Sequence, residues 1–144
     1  MAQTAVSKDV TQNCLLTRAR QISRVLTGIY DQELQPYGVN SPQFTLLVLI
    51  AELGPLSRSE LGRNNHQDRS TLSRNLQHLI ELGWVDEDQT AGGRRRPLSL
   101  TPAGIDLLNA AAPGWAAAQA KALKLLGDES SAAIMNAAGK LPRT

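Results

Sequence analysis

The stretch from Ser57 to Gly83 constrains this chain more than any other. Ser57-Arg58-Ser59-Glu60 has the spacing of a capping box, in which serine and glutamate satisfy backbone amides reciprocally, and it predicts a helix of two turns to about Asn64. After the polar turn Asn64-Asn65-His66-Gln67, Asp68 is placed to cap a second helix that runs to about Leu82, with Gly83 as its left-handed terminator. Leu72, Leu76, Leu79 and Ile80 draw one apolar stripe on that helix, so its opening turns direct Arg69, Ser70, Ser73 and Arg74 elsewhere. A helix pair this short must lean on a larger core, and its polar face must meet something other than that core.

The neighbouring sequence supplies both. Ser41-Pro42 reads as a helix start, serine capping and proline standing where its missing N–H costs nothing. The helix from Gln43 to Leu53 carries Leu46-Leu47-Val48-Leu49-Ile50, apolar on nearly every side and expected to be the buried centre, and Gly54-Pro55 closes it. Trp84-Val85-Asp86 and Leu98-Ser99-Leu100 are β-compatible runs on either side of Gly92-Gly93, predicting a small hairpin with Arg94-Arg95-Arg96 beside its tip.

Towards both ends the pattern is helical. From about Val10 to Gln35 one stripe runs through Leu15, Leu16, Ala19, Ile22, Leu26, Ile29 and Leu34, until Pro36 and Gly38 end it. Thr101-Pro102 repeats the cap-then-proline device, and Ala-rich sequence continues to about Leu126, with a kink or break expected at Pro113-Gly114. A last short helix spans Asp128 to about Ala138. The N-terminal stripe needs a surface to cover it, and a chain of 144 residues has few other helices to offer, so a homodimer is predicted.

Composition narrows the function classes. Aromatics are 3% of the chain, so Leu and Ala must fill the core, which suits packed helices better than a β-sandwich. The one cysteine, Cys14, cannot form an internal disulfide and is expected to be a small buried hydrophobe rather than a redox thiol. The N-terminus lacks a basic-then-apolar signal layout, and the longest aliphatic run, Leu46 to Ala51, falls far short of the roughly 20 residues that cross a bilayer. A cytoplasmic protein with no membrane contact is expected. His66 and His78 lack partners at ligand spacing, and no glycine-flanked nucleophile or carboxylate pair stands out, so neither metal, cofactor nor enzymatic chemistry is expected.

A net charge of +2 identifies no partner, so the positions of the arginines must. Two short helices followed by a basic hairpin describe a winged helix-turn-helix. The DNA major groove admits one helix and is read best from that helix's first turns, which makes Arg69, Ser70, Thr71, Ser73, Arg74 and Asn75 the candidate contacts. Arg74 leads them, because its fork can bond two acceptors of one guanine. Arg94, Arg95 and Arg96 are candidates for the minor groove or phosphates. The plainer alternatives are a wet helix face and a solvated charge cluster neutralised by Asp86, Glu87 and Asp88.

At these residues the chain resembles the MarR family along nearly its whole length. The matching pieces are Leu34-x-Pro36-x-Gly38, Gln43-Phe44-x-Leu46-Leu47, Leu61-Gly62, Ser70-Thr71-Leu72-x-Arg74, Leu79-x-x-x-Gly83 and Leu100-Thr101-x-x-Gly104. No one piece is specific; their order and spacing are. The resemblance implies a single domain over residues 1–144, mainly α with a small β-hairpin wing: a winged helix-turn-helix lobe at 41–101 flanked by dimerisation helices at 10–36 and 102–144. It also implies a recognition helix from Asp68 to Leu82 and a wing around Gly92-Gly93-Arg94. The function implied is that of a homodimeric repressor, released from a pseudo-palindromic operator in double-stranded DNA by a small aromatic or phenolic ligand between the dimer helices and the lobe. Many relatives carry Asp-x-Arg in the wing; here Gly92 stands at the aspartate, so Arg95 or Arg96 is expected to share the role of Arg94. The competing reading is a helical protein-interaction module or antirepressor that does not bind DNA directly.

Overall fold

A computed structural model of the chain describes residues 3–90 and 96–142. The elements follow in the order α1 (Ala5–Asn13), α2 (Leu15–Leu34), a 3-10 turn (Gln35–Tyr37), α3 (Ser41–Leu53), α4 (Arg58–Asn65), α5 (Arg69–Glu81), β1 (Val85–Glu87), β2 (Leu98–Leu100) and α6 (Pro102–Gly139). The mainly helical architecture with one small hairpin agrees with the expectation from sequence.

The core gathers the middle of the chain. Leu46, Leu47 and Ile50 of α3 meet Leu61 of α4, Leu72, Leu76 and Leu79 of α5, Val85 of β1 and Leu98 of β2, with Leu34 and Ala111 closing one side. Val48, although inside the apolar run of α3, faces outward at 41% exposure. The strands pair antiparallel, Val85 opposite Leu100 and Glu87 opposite Leu98. Leu56, between α3 and α4, extends this sheet by exchanging both backbone hydrogen bonds with Leu98, at 3.3 and 2.8 Å. The hairpin is thereby sewn to the core and not only to itself.

Local chemistry explains most boundaries. Ser57 and Glu60 form the expected capping box, Asp68 caps α5, and Thr101 caps α6 by accepting from the Gly104 amide at 3.1 Å. Gly104 is required for packing, because a β-carbon there would collide with the Trp84 carbonyl.

Three expectations are corrected. The cap of α3 is Asn40, not Ser41: the Asn40 side chain accepts from the Gln43 amide and the Gln43 side chain accepts from the Asn40 amide, each at 3.0 Å. That reciprocity holds the buried Gln43 and starts the helix at Ser41. The long N-terminal helix begins earlier than expected and is broken at Cys14, whose backbone is extended (φ −77, ψ 114). Thr11, Asn13 and Cys14 are weak helix formers, and α1 has no buried residue whose packing would hold the helix continuous. Cys14 is therefore half-exposed at a helix junction instead of buried, and a hydrogen bond from the Thr17 side chain pulls its thiol pKa down.

The third correction concerns α6, which runs through Pro113 with helical dihedrals instead of kinking there; its break at Gly127 (φ 81, ψ 167) falls where the sequence ends one helix near Leu126 and starts the last at Asp128. Pro113 and Asn109, the residue whose carbonyl loses its partner, are both exposed, so water can serve the freed group. Gly114 is instead where α6 presses on α2: a β-carbon there would lie 2.7 Å from both the Glu33 carbonyl oxygen and the Tyr37 ring. Gly127 has no such contact and adopts a left-handed φ that other residues resist.

Candidate nucleic-acid interface

Helix α5 is anchored by Leu72, Leu76 and Leu79, all buried, with Ile80 half-buried beside them. At 3.6 residues per turn this burial fixes which side chains face out. Arg69, Ser70, Ser73 and Arg74 are exposed, whereas Thr71 and Asn75 are half-buried at the edges of the face. Of the wing candidates, Arg96 is exposed just before Pro97, at the base of β2. Arg94 and Arg95, with Gly92 and Gly93, lie outside the described residues.

The first turn of α5 is internally organised. The Asp68 carboxylate accepts from the Ser70 hydroxyl at 2.7 Å and from the Thr71 amide at 3.1 Å. These hydrogen bonds, led by that from Ser70, hold the Asp68 pKa down at about 2. Ser70 thus spends its proton inward and presents only oxygen lone pairs outward. Arg74 leans on the Thr71 hydroxyl through one Nη at 3.4 Å, and its other N–H donors have no protein acceptor among the described contacts.

A residue the sequence reading used only as a spacer in a capping box proves central to the geometry. Arg58 grips Glu87 with both arms of its fork, Nε to Oε2 at 2.6 Å and Nη2 to Oε1 at 3.0 Å, while Nη1 reaches the Ser73 hydroxyl at 3.5 Å. The Glu87 side chain is 9% exposed and that of Arg58 34%. One guanidinium thereby joins the start of α4, the wing strand β1 and the outward face of α5. Strand alternation carried the signal: Glu87 shares a face with the buried Val85, so its carboxylate needed a cation. Glu87 is committed to Arg58, and Asp88 accepts from the Thr90 amide and hydroxyl at 2.9 and 2.6 Å.

The surface around this pair is concave and basic. A groove of about 570 Å³ between α4 and α5 is bordered by Arg58, Arg63, Arg69 and Ser73, with Leu72 at its floor. It adjoins a hollow of about 340 Å³ where Ser57, Ser59 and Arg96 face Glu87. Arg63 and Ser59 also escaped the sequence reading, since a basic residue late in a two-turn helix carries no signal of its own.

A second concavity lies on the other side of α3. An open groove of about 600 Å³ is lined by Ala19, Ile22, Leu26 and Tyr30 of α2, Ser41, Pro42 and Thr45 of α3, Asn65 of α4 and Ile134 of α6. The Tyr30 hydroxyl donates to the Gln119 side-chain oxygen, and Lys121 pairs with Glu33, so α2 and α6 are clasped beside it. Burial raises the Tyr30 pKa, which keeps the phenol neutral. Among the described residues, no three His, Cys, Asp or Glu side chains gather as metal ligands, and no helix is long and apolar enough to cross a membrane.

With this geometry in place, comparison with known proteins is informative. The model of the MarR family matches residues 37–96, from the turn after α2 to the hairpin. The uncharacterized HTH-type transcriptional regulator YwoH of Bacillus subtilis is 26% identical over 87 residues, and the match spans 60% of this chain and 64% of that protein. The Mycobacterium tuberculosis transcriptional regulator MosR, in complex with DNA, is 30% identical with a TM-score of 0.75, covering 90% of this chain and 100% of that one. The MarR family protein Rv2887 of M. tuberculosis, in complex with salicylic acid, is 25% identical with a TM-score of 0.66, over 89% of this chain and 96% of that one.

Proposed function

This chain belongs to the MarR family of transcription regulators, and from that premise we propose that it is a homodimeric repressor of the cytoplasm that binds a pseudo-palindromic DNA operator and releases it to a small ligand. The family's members are regulators, not enzymes, and we assign this chain no chemistry of its own. The observation that carries the proposal is the bare face of α5: Arg69, Ser70, Ser73 and Arg74 stand exposed on a helix whose opposite side is locked into the core. MosR, which shares the fold and is bound to DNA, supports the same reading.

In this reading α5 enters the major groove. Arg74 reads a guanine, Arg69 and Ser73 contact base edges or the flanking phosphates, and Ser70 accepts a hydrogen bond from a base amine. Thr71 and Asn75, half-buried, contribute from the margins of the helix. The wing arginines Arg94, Arg95 and Arg96 grip the adjacent backbone or minor groove. Arg58 is a positioning residue: its grip on Glu87 sets the wing base relative to α5, so both reach the duplex in one docking.

Dimerisation follows from what the single chain leaves uncovered. Leu15, Leu16 and Val25 of α2 and Leu125 and Met135 of α6 are all more than half exposed. A second copy is the covering surface we propose, and it sets the two α5 helices about one helical turn of DNA apart, roughly 34 Å. The cavity of about 600 Å³ lies where these arms meet the lobe, within the range of small-molecule sites, and Rv2887 with its salicylic acid supports a ligand-responsive design. A ligand shifts the equilibrium only by its preference for the non-binding arrangement.

The test is fluorescence anisotropy with DNA from upstream of the chain's own gene at moderate salt. Specific affinity on the order of nanomolar is expected, falling steeply as salt rises. Absence of any specific DNA binding would leave the helical interaction module as the better reading.

A further inference from the structure

Resting on the ligand site proposed above, we infer that the cavity between arms and lobe takes an uncharged aromatic molecule of one or two rings and rejects carboxylate anions.

Its walls are apolar surface from Ile22, Leu26, Pro42 and Ile134, interrupted by hydroxyls and one amide, and among the described residues no Asp, Glu, Lys, Arg or His lines it. An anion settling against such walls gives up part of its hydration without a counter-charge from them, a loss that hydroxyls only partly offset. Among the described residues, two of the nearby cations are already engaged. Arg18 donates to the Thr11 carbonyl and the Gln21 side chain, Lys121 is paired with Glu33, and Arg20 and Arg24 stand exposed on the next stripe of α2.

The start of α3, part of the wall, is the other feature that commonly welcomes an anion, through its unsatisfied first-turn amides. Here those donors are spent. The Ser41 amide donates to the Asp31 carboxylate at 2.6 Å, Pro42 has no N–H, and the Gln43 amide donates to Asn40 at 3.0 Å. Asp31 thus occupies the position an anionic ligand would want and adds a negative charge beside the cavity. The remaining polar atoms lean towards accepting. The Thr27 hydroxyl donates to the Ser23 carbonyl at 2.6 Å, and the Tyr30 hydroxyl donates to Gln119, so both face the space with oxygen lone pairs. Such a lining pairs with a phenol O–H or an amide N–H.

Isothermal titration calorimetry on the full chain at neutral pH, with salicylate against the neutral isosteres salicylamide and salicyl alcohol, tests this. The expected result is at least about tenfold tighter binding of a neutral isostere. In Asp31→Asn, which keeps an acceptor for the Ser41 amide, salicylate affinity should rise several-fold while the neutral ligands stay unchanged. Salicylate binding as tightly as the neutral compounds, or unmoved by Asp31→Asn, would overturn the inference while leaving the ligand site standing. Binding of none of the three at millimolar concentration would overturn the ligand site as well.

Discussion

The winged lobe and the terminal arms solve the burial problem in opposite ways. In the lobe, Leu46, Leu47, Leu61, Leu76, Leu79 and Leu98 are each 0% exposed, and the leucines come from α3, α4, α5 and β2. In the arms, α1 buries nothing and α2 buries only Leu34, while Leu15 is 88% and Met135 73% exposed. The lobe closes its core within one chain, so its outward residues are free to serve a partner of different chemistry. The arms hold an apolar stripe that the single chain leaves uncovered, and the dimer proposed above would cover it. In that proposal, reading DNA and assembling the dimer are divided between regions that differ in where their stabilising contacts come from.

The sharpest way to break this contrast is to open the lobe core. Leu76→Ala should cost about 2–5 kcal/mol in urea unfolding, whereas Leu15→Ala should leave the stability of the single chain almost unchanged and weaken self-association instead. Equal losses from the two would erase the distinction. Next in size, Arg74→Ala should lower specific operator affinity by about 1–3 kcal/mol with no change in stability. Arg95→Ala should weaken binding more evenly across sequences and flatten its salt dependence.

Glu87→Gln probes the join between wing and core. It removes the charge from the carboxylate that Arg58 grips, and because Arg58 is a third exposed, stability should fall by only about 1 kcal/mol. Operator affinity should fall further than stability, since a loosened wing base misplaces the wing arginines; anisotropy beside chemical unfolding separates the two. The smallest effect concerns Asp68. Its folded pKa of about 2 lies below the unfolded value near 3.9, so the stability it contributes is present above pH about 4 and drains away as pH falls towards 2. Carboxyl chemical shifts should show Asp68 titrating at the low end of the aspartates, and Asp68→Asn should remove that part of the acid sensitivity.

What could be read from the chain alone divides along the same physical line. The boxes at Ser57 and Glu60, the Asp68 cap and the Leu72-Leu76-Leu79 stripe were legible because each is settled within one helical turn or one helix face. Adjacent Asn40 and Ser41 were both adequate caps, and only the second bond, from the Asn40 amide to the Gln43 side-chain oxygen, decides between them. Arg58 and Glu87 are 29 residues apart, a pairing that requires the fold before it can be seen. Pro113 misled for the opposite reason: the rule that proline disrupts a helix interior assumes the freed carbonyl goes unserved, and at an exposed Asn109 solvent can reach it. The break at Cys14 depends on what α1 fails to touch, which no local pattern encodes.

Hydroxyl-radical footprinting of the full chain on its operator tests the division of labour most directly. Two symmetric sets of protections, centred about 10 base pairs apart and both lost in Arg74→Ala, are what a dimer presenting two α5 helices should leave. A single unpaired footprint, or protection that survives Arg74→Ala unchanged, would contradict it.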